Sequence, residues 1–439
     1  MSLESEKKGY RQLSTLAHTR HTESSLAIHP YFGKVDPSIA RTAIETFSKP
    51  KSTVLDPFCG SGTVIHDAVV MGRNVVGWDS SPLAVMISAA KVLGITSDET
   101  RELQILSREA EQLVALPLFA DVVDDLAIAD VPQMPRVRSV GDWFSTRALT
   151  ELAAIKRLLR SWATEASGES YLLAKVAFSR IITAASLQQS ESTYRRIVKP
   201  DEPGRVVGLF VKSLRHVIRS AAAFSAEMAQ GGIDIQPCRL LKSTQSYSIS
   251  HDAVNVKLIS SDSRTACVDD AKTRASLVVT SPPYLMSWDY GLYHKFRFYW
   301  LDFDLDSYED SEIGRHLRRK KDDVPRYIED MQRVFARLRK ATAPTATSVF
   351  VNAPSVVYGK EVDTNALLID CGAASNWKLE WSSASLGIPG PHHGMYSSLQ
   401  SRGANAPGKA GKTEHLLVFS RDPMPSKVSD PAKQTILSA

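Results

Sequence analysis

At 439 residues, 43% of them hydrophobic and with a formal net charge of +5, the chain is long enough for one large core or two smaller ones, and its charge permits a nucleic-acid partner without requiring one. Four scattered cysteines, Cys59, Cys238, Cys267 and Cys371, exclude a disulfide framework, and no set of residues has metal-ligand spacing. No apolar signal core and no long uncharged apolar run argue for export or a membrane anchor, so a cytoplasmic globular protein is expected.

Residues 1–27 read as a polar arm that includes His18 and His21. The chain then turns through His29-Pro30-Tyr31-Phe32-Gly33-Lys34. Asp36 as N-cap and Pro37 in the first turn open a helix to about Phe47. Ser52 to Leu55 reads as a strand, and Asp56-Pro57-Phe58-Cys59-Gly60-Ser61-Gly62-Thr63 as its turn into a helix ending near Met71. Gly60 and Gly62 let the backbone pass close to a ligand, and the helix start at Thr63 offers free N–H groups. A second strand, Asn74 to Trp78, ends at Asp79, where a carboxylate accepts both hydroxyls of a ribose. Ile65 replaces the third glycine of the dinucleotide fingerprint, and Asp56 can meet a cationic amino group. Dehydrogenase chemistry is thereby disfavoured.

A third helix runs to about Leu93, and residues 96–249 read as an inserted helical subdomain with periodicities at Arg147–Trp162, Ser170–Leu187 and Gly204–Met228. Its basic residues Arg195, Arg196, Lys199, Arg205, Lys212, Arg215 and Arg219 either track phosphates or form solvated helix faces. Pro237-Cys238 matches the nucleophile pair of cytosine carbon-5 chemistry, but Arg239 follows and no Glu-Asn-Val triplet exists, so background occurrence is the simpler reading. Val254–Ile259 is the next strand, followed by Asp262.

Ala275-Ser276-Leu277-Val278-Val279 reads as a buried parallel strand, stopped by Thr280-Ser281-Pro282-Pro283-Tyr284 at the end where open α/β sheets place ligands. Neither proline has an N–H, so the turn presents acceptors. The Ser281 hydroxyl and the Pro282 carbonyl suit the two hydrogens of an exocyclic amine, with Tyr284 stacking on its ring. Taken alone, the pattern also fits a proline-terminated strand with a core tyrosine. Beyond it, Trp288-Asp289-Tyr290-Gly291 and the aromatic run Tyr293–Trp300 either wall a base pocket or pack beneath it. Arg315–Lys321, the densest positive cluster, is either a phosphate clamp or a solvated face. A helix (Val324–Thr342), a strand (Thr347–Asn352), a helix near Asn365–Cys371 and two strands (Trp377–Trp381, Glu414–Phe419) complete an α/β order with an antiparallel final hairpin. Gly387–Lys412 is expected to be a DNA-contacting loop.

The Asp56–Thr63 and Ser281–Tyr284 motifs together resemble the S-adenosylmethionine-dependent amino-methyltransferases of DNA. The serine at 281, where the adenine-N6 branch usually has Asp or Asn, resembles the N4-cytosine branch. The resemblance covers about residues 28–93 and 254–420. It implies a Rossmann-like methyltransferase sheet with helices on both faces, formed by residues 28–95 and 250–421, with 422–439 a tail. It also implies that Tyr31 and Phe32 border the methionine end of the cofactor, Asp56 pairs with its ammonium, Phe58 lines the pocket and Asp262 accepts from the adenine. Ser281, Pro282, Pro283 and Tyr284 would then handle a flipped cytosine in double-stranded DNA. A nucleoid-associated enzyme with a cognate restriction endonuclease or defence-system subunits is the implied setting. Adenine-N6 methylation, RNA methylation and a non-catalytic nucleic-acid-binding subunit remain the alternatives.

Overall fold

A computed structural model describes residues 13, 25–31, 33–114, 130–190, 193–233, 240–242, 246–252, 254–266, 274–286, 289–315, 323–383 and 414–421. His18, His21, Phe32, the Pro237-Cys238 pair, Trp288, residues 316–321, the 387–412 loop and the 422–439 tail lie outside them.

Among the described residues nine strands form one sheet in the order β12-β13-β9-β8-β1-β2-β7-β6-β5. Its centre is parallel: β9 (Thr342–Asn352), β8 (Ala275–Thr280), β1 (Thr53–Asp56), β2 (Asn74–Asp79) and β7 (Val254–Ser260). Successive residues of these strands face opposite sides, as the period of two demands. Val54, Val75, Leu277, Val279, Val349 and Val351 join one core. Leu55, Val76, Val278 and Phe350 join the other. Both faces are therefore covered, which explains the continuous apolar runs.

On the first face lie α1 (Pro37–Phe47), α2 (Thr63–Val70) and α3 (Pro82–Lys91). Asp36 caps α1 as expected, its Oδ1 accepting from the Ser38 amide at 2.8 Å. The second face is covered by α10 (Asp323–Ala341) and α11 (Thr364–Ala374), after the short helices α8 (Tyr290–Trp300) and α9 (Leu305–Ser311). Tyr327, Met331, Val334, Phe335 and Leu338 make the buried stripe of α10.

The intervening segment supplies α4 (Ser97–Leu113), α5 (Thr146–Trp162), α6 (Gly168–Ala185), the ribbon β3 (Gln188–Ser190) and β4 (Thr193–Arg196), and α7 (Arg205–Gln230). These helices share the first core with the sheet, and α6 packs on α3, α7 and α8. The buried Glu151 of α5 accepts from the amides of Gly204, Val206 and Val207 at 2.7–3.1 Å, placing a carboxylate at the positive end of α7. The segment ends in strand rather than helix: β5 (Leu241–Lys242) and β6 (Ser246–His251) form an antiparallel edge on β7, and the 249/250 boundary falls inside β6. At the opposite edge β12 (Trp377–Ser382) and β13 (His415–Arg421) form the antiparallel final hairpin, β13 lying against β9. A small hairpin, β10 (Ser355–Val357) and β11 (Lys360–Val362), completes the strands among the described residues. Among these residues no helix is long and apolar enough to cross a membrane.

Candidate active site

Because β1, β2, β7 and β8 are parallel, Asp56, Asp79, Ser260 and Thr280 end on one edge of the sheet. The order of connections reverses between β1 and β8, the place where such sheets open a crevice. Across that gap Thr280 Oγ1 donates to Asp56 Oδ1 at 2.7 Å, tying together two motifs 224 residues apart.

The turn after β1 needs its glycines. Gly62 has φ +77°, and a Cβ there would lie 2.7 Å from Ser88 Oγ and 3.0 Å from Ser88 Cα. The Gly60 amide donates to Asp79 Oδ2 at 2.9 Å, and the Gly60 carbonyl accepts from Ser88 at 2.8 Å. Asp79 Oδ1 also holds the Ser81 amide at 2.8 Å. The Ser61 hydroxyl is buried with no partner among the described residues, and Thr63 is buried at the first position of α2. A backbone cradle, an unsatisfied buried hydroxyl and an acid at the end of β2 fit the ribose and methionine parts of a nucleoside cofactor.

Two carboxylates here are perturbed. Burial raises Asp56 to about 7; the hydrogen bonds from Thr280 and the Phe58 amide lower it, and the charge of Asp79 raises it further. Burial raises Asp79 to about 6, against the hydrogen bonds from Ser81 and Gly60. A buried acid with such a value is primed for a cation or a hydroxyl donor.

Tyr31 is buried, with its ring near Gly60: a Cβ on that glycine would meet Tyr31 Cε1 at 3.6 Å. Tyr290 stacks parallel to it, with 6.0 Å between centroids, and His294 at 5.2 Å. The Tyr290 amide donates to Glu312 Oε1 at 2.9 Å, and Glu312 is raised to about 8 by burial and by Asp289. Gly33, at φ +72°, leaves room for the Tyr290 hydroxyl, which would lie 2.2 Å from a Cβ at that position. Phe58 is half-buried against the second core.

Asp262 lies close by, because the Ser261 amide donates to the Asp79 carbonyl at 2.9 Å and Ser263 Oγ to the Pro57 carbonyl. Its carboxylate receives Arg264 through Nε at 2.9–3.0 Å and through Nη2 at 2.6 Å. An adenine amine would therefore share it with a guanidinium.

At the second turn Pro282 is buried, while Ser281, Pro283 and Tyr284 are half-buried. Ser281 Oγ donates to the Tyr284 hydroxyl at 3.3 Å, which donates to Glu414 Oε1 at 3.2 Å. Tyr327 donates to the Pro283 carbonyl at 3.1 Å. The hydroxyl protons thus run toward Glu414, leaving the Ser281 lone pairs able to accept. Sequence reading did not assign Thr280, Glu312, Tyr327 and Glu414 to the site, and it left Tyr290 open between walling a base pocket and packing beneath it. Thr280 carried a signal, as the polar end of an apolar strand; the others come from distant elements.

Arg315 is neither a phosphate clamp nor a solvated side chain. Its guanidinium bonds Asp289 at 2.8 Å and both Glu309 oxygens at 2.8–2.9 Å, and Asp289 itself caps α8 through the Leu292 amide. The aromatic run packs, with Phe296, Phe298 and Trp300 buried in the first core.

Residues 5–90 match the N6/N4 methyltransferase family, described as DNA methylase. The chain is 34% identical to Type II methyltransferase M.MjaII of Methanocaldococcus jannaschii over 80 residues, 18% of this chain and 14% of that protein. It is 24% identical to Type II methyltransferase M.MvaI of Kocuria varians over 342 residues, 76% of this chain and 68% of that one. The solved rRNA methyltransferase aviRa from Streptomyces viridochromogenes aligns at 12% identity and TM-score 0.32, over 93% of this chain and 96% of its own. Residues 5–90 thus carry a DNA methylase pattern, and similarity to a type II methyltransferase spans 76% of the chain.

Proposed function

We propose that this protein transfers a methyl group from S-adenosylmethionine to the N4 amino group of a flipped cytosine in double-stranded DNA. The observation that supports the reading is the Thr280–Asp56 hydrogen bond, which joins the glycine turn after β1 to the proline turn after β8. S-adenosylmethionine supplies an electrophilic methyl on a sulfonium, with a neutral thioether as leaving group. Asp79 accepts ribose hydroxyls, and Asp56 faces the ammonium. Ser281 Oγ and the Pro282 carbonyl accept the amine hydrogens, which localises the nitrogen lone pair for attack. As the N–CH3 bond forms and the C–S bond breaks, the amine releases one proton to solvent. Alignment is the main contribution of the protein.

The serine at 281 favours cytosine N4 over adenine N6, and the type II relatives support a restriction-modification setting. Methylation of duplex DNA with a labelled methyl donor, followed by digestion to nucleosides and mass spectrometry, tests the reading. 4-Methylcytosine is expected. 6-Methyladenine would reassign the base, label in RNA alone would reassign the substrate, and no transfer would refute the activity.

A further inference from the structure

The β3–β4 ribbon stands apart from the main sheet, and it is clamped through Tyr194. Tyr194 stacks on Trp143 with ring centroids 4.3 Å apart, leans on Phe296 of α8 at 5.9 Å, and carries the Lys295 ammonium 4.1 Å from its centroid. Gln188 is buried and ties the ribbon to itself through the Ser190 carbonyl at 2.8 Å. Other side chains of the ribbon, and Val198 just after it, face water. Gln189, Arg195 and Arg196 are exposed, and Val198 is 97% exposed. Arg196 is held by Asp142 at 3.0 Å, whereas Arg195 has no ion-pair partner among the described residues.

A two-stranded ribbon fits the major groove of B-form DNA, where arginine pairs with guanine, glutamine with adenine and an apolar group with the thymine methyl. The ribbon also packs against a helix that reaches the glycine turn after β1. Phe296 sits six residues along α8 from Tyr290, roughly 9 Å of helix rise, and Tyr290 stacks on the Tyr31 ring beside Gly60. Packed side chains thus link the ribbon, through Phe296, α8 and the Tyr290–Tyr31 stack, to the glycine turn after β1.

We propose that the β3–β4 ribbon enters the major groove of double-stranded DNA and reads base pairs flanking the methylated one, with Gln189 and Arg195 contacting base edges. This rests on the methyl-transfer reading. In the test, wild type, Gln189→Ala and Arg195→Ala methylate a plasmid library. Marked positions are found by modification-sensitive sequencing, and S-adenosylhomocysteine affinity serves as the control for folding.

The wild type is expected to mark one sequence. Each variant should keep cofactor affinity and lose discrimination at a base pair of that sequence, by roughly 5- to 150-fold. Unchanged preference in both variants overturns the ribbon's role and leaves methyl transfer standing. Uniform slowing with unchanged preference also overturns it, since a phosphate contact carries no sequence information. Marking of RNA instead of duplex DNA overturns it as well, and a wild type that marks no nucleic acid removes the methyl-transfer reading itself.

Discussion

Thr280→Val tests the link between the two motifs. Valine keeps the shape of the buried threonine and removes only the hydroxyl that donates to Asp56 at 2.7 Å. Burial, opposed by that hydrogen bond, sets the Asp56 carboxyl at about 7 in the folded protein, above its ordinary value. A raised carboxyl lowers folding stability as pH climbs from about 4 to about 7, because over that range the unfolded chain has released a proton that the folded form still holds. A cofactor ammonium needs the ionised form, so affinity should rise through the same upper range. A hydrogen bond to a charged acceptor exceeds one to a neutral acceptor by about 1 to 2 kcal/mol, so losing it favours protonation by a factor of about 5 to 30. Calorimetric S-adenosylhomocysteine affinity should then be roughly 3- to 15-fold weaker than wild type at pH 7 and within about 1.5-fold at pH 9. Comparing the proteins at equal pH cancels the ligand's own titration. A deficit of the same size at both pH values would refute the coupling of Thr280 to the Asp56 charge.

Ser281→Ala should remove most turnover while keeping cofactor affinity, whereas Asp79→Ala should weaken cofactor binding; normal methylation by the first, or normal calorimetry for the second, would remove that residue from its role. Gly62→Ala forces a Cβ to 2.7 Å from Ser88 at φ +77° and should cost about 2–4 kcal/mol in urea unfolding; a loss under about 1 kcal/mol contradicts the clash. His66 lies buried between Asp67 (2.9 Å) and Glu227 (3.3 Å), and although burial pushes its pKa down, those two acids more than offset this and leave it raised. Its stabilisation is full below the ordinary histidine value of about 6.5 and is lost as pH rises through the folded value, so His66→Gln should lose most stability at pH 6 and progressively less above pH 7. A gap between the two denaturation curves that does not depend on pH would contradict the charged pairing.

The central strands were legible because both of their faces are buried, which writes a continuous apolar run into β1, β8 and β9. Helix α1 was legible through Asp36 and Pro37, and α10 through its 3.6-residue stripe. The edge strands β5 and β6 were not, since only Ile249 and His251 of β6 are buried and no two-sided pattern results. Helix α8 was seen only as an aromatic run, because aromatic residues favour neither element strongly enough to decide the period.

By itself the sequence determined the local elements, the glycine turn at 60–62 and the proline turn at 281–284, since near-neighbour sterics and the chemistry of proline and glycine fix these. Tertiary structure alone decided that Asp56 meets Thr280, that Tyr290 covers Tyr31 and that Arg315 is spent inside the protein on Asp289 and Glu309. Such pairings join elements distant in the chain, and packing of the sheet's two faces sets them, a sum over many contacts that no local pattern encodes.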